Sequence, residues 1–207
     1  MVKISASLLE EGFFQDVVDK VKSADMIHFD VMDGEFVPRK TIWTEEVASV
    51  DTKLLKDVHL MVLQPEDFIQ DFIDAGADMI SFHIEATDVP EAIIGMIQHQ
   101  SVKAGITIKP KTDVSEIVRF LPDIDFVLIM SVEPGLGGQS FIKDSLEKVR
   151  FIRKNYPDLD IEIDGGINEE TAKLAVKAGV TILVSGTYLF KDPENRINLL
   201  KNMEKKN

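Results

Sequence analysis

Short apolar segments alternate with amphipathic ones along this chain from end to end, and that alternation leaves few folds open. Strands are predicted near residues 3–9, 26–32, 55–61, 78–84, 104–109, 125–131, 160–164 and 181–186. Between them apolar residues recur at helical spacing. Phe14, Val17, Val18 and Val21 share one face, as do Phe68, Ile69, Phe72 and Ile73. Further stripes are Ile93, Ile94 and Ile97, then Leu146, Val149 and Ile152, then Ile197 and Leu200. Gly76 and Gly179 stand where a helix must end in the left-handed region before the next strand, and Pro65 and Pro193 stand near helix starts. Eight strand–helix units in 207 residues predict one (β/α)₈ TIM barrel domain over residues 1–207. The rival is a doubly wound open sheet. A sheet of that kind calls for a Gly-rich turn after the first strand, and K-I-S-A-S-L-L has no glycine.

Charge narrows the function. With 36 acidic against 23 basic residues the net charge is −13, which argues against nucleic acid as a partner. An anionic metabolite would have to be held by local devices against that field. The chain has no cysteine, so a metal here must be held by nitrogen and oxygen. No apolar run approaches the roughly 20 residues needed to cross a bilayer, and M-V-K-I-S-A-S-L-L does not read as a signal peptide. The expectation is a cytoplasmic protein with no membrane partner.

Four residues carry the chemistry: His28 and Asp30 in H-F-D-V-M-D-G, His59 in D-V-H-L-M-V, and Asp164 in E-I-D-G-G-I. Side chains alternate along a strand, so His28, Asp30 and Met32 share a face, as do His59 and Met61, and Glu162 and Asp164. In a barrel the shared face is the interior, and the working end is the C-terminal one. Two carboxylates and two imidazoles then converge on one mouth, a set suited to a divalent cation. Either histidine alone reads as a core residue satisfied by a carboxylate; the whole set reads as a site. His83 is expected to pair with Glu85 two residues on, with a supporting place behind the site as the alternative, and His99 to lie on the surface.

Three glycine-bearing segments follow the last three strands: E-P-G-L-G-G-Q-S (133–140), D-G-G-I-N (164–168) and V-S-G-T (184–187). Glycines let backbone N–H groups approach an anion closely, and the loops after strands seven and eight often bind phosphate in such barrels. Candidate contacts there are Gly135, Gly137, Gly138, Gln139, Gly165, Gly166, Ser185, Gly186 and Thr187. Met32, Met61 and Met130 sit beside the same mouth, either as core filler or as an apolar wall against water.

The sequence resembles the ribulose-phosphate 3-epimerase family over almost its whole length. The motifs that carry the likeness are H-F-D-V-M-D-G-E-F-V-P, H-L-M-V, M-S-V-E-P-G-L-G-G-Q-S-F-I and I-D-G-G-I-N. The resemblance implies a barrel of the ribulose-phosphate-binding type that interconverts D-ribulose 5-phosphate and D-xylulose 5-phosphate. It implies metal ligands at His28, Asp30, His59 and Asp164, with Asp30 and Asp164 also moving the protons, and one divalent ion per subunit, Zn²⁺ or Fe²⁺ ahead of Mn²⁺ or Co²⁺. Ser7 matches the serine that contacts substrate near the metal, and phosphate contacts fall on Gly137, Gly138, Gly166, Gly186 and Thr187. One aspartate removes the C3 proton to give an enediolate, and the other returns a proton to the opposite face. A homo-oligomer, dimer or hexamer, is expected by analogy.

The chain departs from that family's pattern at Ala6, Glu35, Arg39-Lys40, Trp43-Thr44 and Lys109-Pro110-Lys111, none of them in the ligand set. Lys109 is expected either to lean on the substrate or to pair with a loop acid. The rival readings are an epimerase acting on a hexulose phosphate such as D-allulose 6-phosphate, a lyase or decarboxylase on the same kind of barrel, and a phosphosugar-binding protein without activity.

Overall fold

The computed structural model describes residues 1–8 and 14–203. The strands are β1 (Lys3–Leu8), β2 (Met26–Met32), β3 (Leu55–Met61), β4 (Met79–His83), β5 (Lys103–Ile108), β6 (Phe126–Met130), β7 (Asp160–Asp164) and β8 (Ile182–Ser185). Each pairs in parallel with the next, and β8 pairs with β1, closing the barrel. The expected strands are met within a residue or two, save that position 9 of the first, with the side chain of Phe14, lies outside the described residues.

Parallel strands need crossovers, and most of these are helical. The helices are α1 (Phe14–Lys20), α2 (Thr44–Ser49), α3 (Ile69–Asp74), α4 (Pro90–His99), α5 (Ser145–Asn155), α6 (Glu169–Ala178) and α7 (Pro193–Lys201). Their apolar stripes meet the outward side chains of the strands. Ile27, Phe29 and Val31 of β2, for example, belong to one buried cluster with Ile93 and Ile97 of α4, and Val149 and Ile152 of α5. The main apolar core is therefore the shell between strands and helices.

One of the eight expected helical crossovers is not an α-helix. Between β5 and β6 the regular structure shrinks to a 3₁₀ turn, Val114–Glu116, capped by Asp113, whose carboxylate accepts the Ser115 N–H at 2.8 Å. Pro110 and Pro122 bracket the segment and each removes a donor that a helix would need. Ile117, Phe120 and Leu121 are still buried, so turns cover the barrel where a helix would have stood.

Inside the barrel the side chains stack in layers drawn from alternate strands. At the N-terminal end Met26, Met79, Phe126 and Ile182, from the even strands, form an apolar plug. Above it stand Ser5, Asp57, Gly105 and Glu162 from the odd strands, all but the glycine polar. A Cβ on Gly105 would lie 2.4 Å from Cζ of Phe126, so this glycine is what lets the ring fill the axis. The apolar plug closes the bottom of the barrel, and polar groups rise from it toward the mouth.

Candidate metal centre and active site

The strand register sets Asp30 of β2 beside His59 of β3, and His28 one alternation below on β2. Asp164 ends β7. One ligand atom from each of His28, Asp30, His59 and Asp164 lies within 4.8 Å of all the others. Nδ1 of His59 is 3.1 Å from Oδ1 of Asp30, and Nε2 of His28 is 3.3 Å from the same oxygen. Atoms bound about 2.1 Å from a common cation stand about 3.0 to 3.5 Å apart around it, so these spacings match the edges of a coordination shell.

The surroundings of each ligand sharpen that fit. His28 is fully buried, and its Nε2 has no hydrogen-bond partner. Its Nδ1 is 2.7 Å from Oδ2 of Asp57, which also accepts the Ser5 hydroxyl at 2.7 Å. A proton on Nδ1 shared with a carboxylate leaves the Nε2 lone pair facing the cluster, the arrangement that orients metal-binding imidazoles. On the other side Nε2 of His59 is 3.0 Å from Nε2 of His83, whose Nδ1 is 3.1 Å from Oε2 of Glu85. Ser7 donates to Oδ2 of Asp30 at 3.0 Å, leaving Oδ1 to the imidazoles. His28, Asp57 and Glu162 also cluster, but there Nδ1 of His28 is already committed to Asp57.

The two aspartates are driven in opposite directions. Burial raises the proton affinity of Asp30, but the charge of the neighbouring His28 and the hydrogen bond with His59 outweigh it and hold the carboxyl far below its usual range. At Asp164 the charge of His28 and the Gly165 N–H pull the same way but do not prevail. Burial, and then the negative charge of Asp30, push it up from 3.8 to about 7. His28 is held well above 6.5 because Asp57 and Asp30 overcome its desolvation, whereas burial dominates at His59 and lowers it. Below them, burial and the neighbouring negative charge of Asp57 raise Glu162 well above the usual carboxylate range.

Above the ligands opens a cleft at the C-terminal mouth. Met32 and Met61 pack with Val37 and Phe36 on one side of it, and Met130 packs with Leu128 and Val132 on another. The segments 133–139, 164–167 and 184–188 complete its wall. They are tied together by backbone contacts: Ser131 donates its hydroxyl to the carbonyls of Asp164 and Gly165 at 2.8 and 2.7 Å, and Ser185 donates to that of Ile167 at 3.2 Å. Gly166 sits at φ +64°, and a Cβ there would meet the Phe141 nitrogen at 2.8 Å. Only glycine lets the loops after β6 and β7 close on each other at this point.

A sequence profile of the ribulose-phosphate 3 epimerase family matches residues 3–190. The chain is 42% identical over 211 residues to the ribulose-phosphate 3-epimerase of Schizosaccharomyces pombe, covering 97% of this chain and 92% of that one. It is 41% identical over 207 residues to the enzyme of that name from Bacillus subtilis, covering 95% of each. This chain belongs to the ribulose-phosphate 3-epimerase family. Among solved structures, a 3-hexulose-6-phosphate synthase superposes with a TM-score of 0.72 over 97% of this chain and 98% of that one, at 16% identity, a likeness of fold alone.

Within this epimerase-family barrel the residues picked out in the sequence come together. Ser7, Asp30, Asp164, the three methionines, and the candidates Gly135, Gly137, Gly138, Gln139, Gly165, Gly166, Ser185, Gly186 and Thr187 all line the cleft. His28 and His59 lie beneath it with no exposure. His83 holds both places expected for it, paired with Glu85 and hydrogen-bonded behind His59. His99 is exposed. Among the described residues Lys109 forms no ion pair with a loop acid; its Nζ lies 3.8 Å over the ring of Phe36. Sequence reasoning passed over Asp57, although D-V-H puts it two residues before His59 and so on the same inward face. It also passed over Tyr188, which extends the wall after Thr187.

Proposed function

We propose that this chain is a metal-dependent epimerase that inverts C3 of a ketose phosphate, D-ribulose 5-phosphate to D-xylulose 5-phosphate. The observation that carries the reading is that two aspartates of one ligand cluster reach the same cleft from different strands. Inversion by two bases needs a proton-transfer group on each side of the reacting carbon, and Asp30 and Asp164 are the carboxyl groups placed to fill those roles. They come from β2 and β7 and line the same cleft.

His28, Asp30, His59 and Asp164 are the residues proposed to hold the cation, Zn²⁺ or Fe²⁺ before Mn²⁺ or Co²⁺, one per subunit. When bound it supplies Lewis acidity that polarises the C2 carbonyl and makes the C3–H easier to ionise. One aspartate takes the C3 proton, giving the 2,3-enediolate, and the other returns a proton to the opposite face. Ser7 holds Oδ2 of Asp30 and so sets the direction in which this carboxylate can work. The methionine wall keeps water from the carbanion-like centre, and the amides of Gly137, Gly138, Gly166, Gly186 and Thr187 are proposed to hold the phosphate in place of cationic side chains. Among the described residues no lysine or arginine lines the cleft, which suits an amide cradle.

The proposal takes residues 1–207 as one domain acting as a homo-oligomer, dimer or hexamer. It places the chain in the cytoplasm, where charged sugar phosphates are retained because they do not cross a bilayer unaided. No helix among the described residues is long and apolar enough to cross a membrane. The test is turnover of D-ribulose 5-phosphate beside D-allulose 6-phosphate, before and after chelation and with metal added back. Metal-dependent turnover favouring the pentose supports the reading; preference for the hexulose moves the substrate; no turnover of either by metal-loaded protein overturns it.

A further inference from the structure

We propose that His83 and Glu85 are positioning residues for the metal centre, holding His59 so that its Nδ1 faces the cation and its Nε2–H is tied behind. The inference rests on the metal-dependent reading above and concerns residues that touch neither cation nor cleft. Two imidazole nitrogens 3.0 Å apart, Nε2 of His59 and Nε2 of His83, bond only if one of them carries the hydrogen. Which one is decided further out.

Glu85 fixes the direction. Its Oε1 accepts the Lys109 N–H at 2.9 Å and the Thr112 hydroxyl, and its Oε2 stands 3.1 Å from Nδ1 of His83. With those donors around it the carboxyl stays ionised, its pKa brought down to about 2 despite burial. An ionised carboxylate only accepts, so Nδ1 of His83 must carry its hydrogen. An imidazole that meets a cation through Nδ1 keeps its hydrogen on Nε2. In the loaded site Nε2 of His59 therefore donates to Nε2 of His83, and its Nδ1, 3.1 Å from Oδ1 of Asp30 inside the ligand cluster, is the nitrogen that faces the cation.

The two metal-facing imidazoles are thus oriented by different means. Asp57 acts on His28 directly at 2.7 Å, whereas Glu85 acts on His59 through an intervening ring. Packing holds that ring in place. It lies 5.0 Å from the His59 ring and 4.7 Å from that of Phe36, which in turn carries Nζ of Lys109 at 3.8 Å. The support for His59 therefore ends in the loop after β5, where Lys111 pairs with Glu133 of the loop after β6 at 3.5 Å. His83 is not itself a fifth ligand, since its one lone pair is spent on His59.

The test uses the full chain with Zn²⁺ as the probe. Nitrogen-15 spectra of the Zn²⁺-loaded protein should show His59 coordinated through Nδ1 with a proton on Nε2. Competition against a chelator should show Zn²⁺ affinity falling about 10- to 100-fold in His83→Phe, the usual loss when a ligand's supporting partner is removed, and less in Glu85→Gln. The melting point of the cation-free Glu85→Gln protein should fall, because a carboxylate that accepts three hydrogen bonds is lost. Positioning is therefore read from the Nδ1 and Nε2 signals of His59 in the Zn²⁺-loaded variant, which a merely structural role would leave unmoved. If His83→Phe does not fold, Glu85→Gln and the spectra decide alone. Coordination through Nε2 of His59, or Zn²⁺ affinity unchanged in both folded variants, overturns the inference while leaving the metal reading intact. Failure of the wild type to take up any divalent cation overturns that reading as well.

Discussion

Metal uptake by this barrel should release protons, and the number released should change near pH 7. In the cation-free site Asp164 keeps its proton up to about 7, and His28 is held protonated well above 6.5 by Asp57 and Asp30. His59 is neutral and Asp30 ionised, so neither has a proton to lose. A cation competes with protons for the same lone pairs, so lower pH weakens binding. Below about pH 7 both groups must give up a proton, and affinity should rise about 100-fold per pH unit, twice the 1.36 kcal/mol that one proton contributes per unit. Above pH 7 only His28 still releases one, and the slope should drop to about tenfold. The sign carries over to the cation-free fold. Asp164 and His28 hold protons more tightly folded than unfolded, so they add stability at low pH. The Asp164 part is lost as pH climbs from about 4 to 7, and the His28 part as pH passes 6.5 and then its raised value. Calorimetric titration with Zn²⁺ at pH 6, in two buffers of different ionisation enthalpy, counts the protons directly. Two are expected. One would mean that His28 is neutral before the cation arrives, and none, with an affinity flat between pH 6 and 8, would refute the electrostatic picture of the site.

Three further substitutions test separate parts of the structure. Asp164→Asn should cut epimerisation by at least 10²- to 10⁴-fold, the contribution typical of a proton-transfer group, while circular dichroism and melting near pH 6 stay close to wild type, because a neutral amide replaces a carboxyl already protonated there. Gly166→Ala would set a Cβ 2.8 Å from the Phe141 nitrogen and 3.0 Å from the Gln139 carbonyl oxygen; steady-state kinetics should show KM for the phosphorylated substrate rising about tenfold, from roughly 1–2 kcal/mol of strain. A KM left unchanged would remove that turn from the phosphate site. Gly105→Ala should lower unfolding free energy in urea by about 1–3 kcal/mol through overpacking on Phe126, and Phe126→Leu in the same chain should recover part of it.

Much of this site can be read from strand parity. That side chains two residues apart share a face is a property of any extended backbone, and the apolar runs say where the backbone is extended. Thus β2, β3 and β7 begin and end where the sequence puts them, and His28, Asp30, His59 and Asp164 all point inward as expected. Parity puts Glu162 on the inward face with Asp164, and by the same rule Asp57, two residues before His59, faces inward too.

Contacts between strands are another matter, because they depend on the stagger with which the barrel closes, and no local pattern carries that number. Only the closed fold sets His83 behind His59, lays Lys109 over Phe36, brings the Phe141 backbone against Gly166, and covers the gap after β5 with turns in place of a helix. The opposed proton affinities of Asp30 and Asp164 belong to the same class. Two identical carboxyl groups are separated by which neighbours reach them in space, imidazoles for one and mainly another carboxylate for the other. The order of residues along the chain determined which groups would face the barrel axis; their distances, and therefore their charges, were decided by the way eight strands close into a ring.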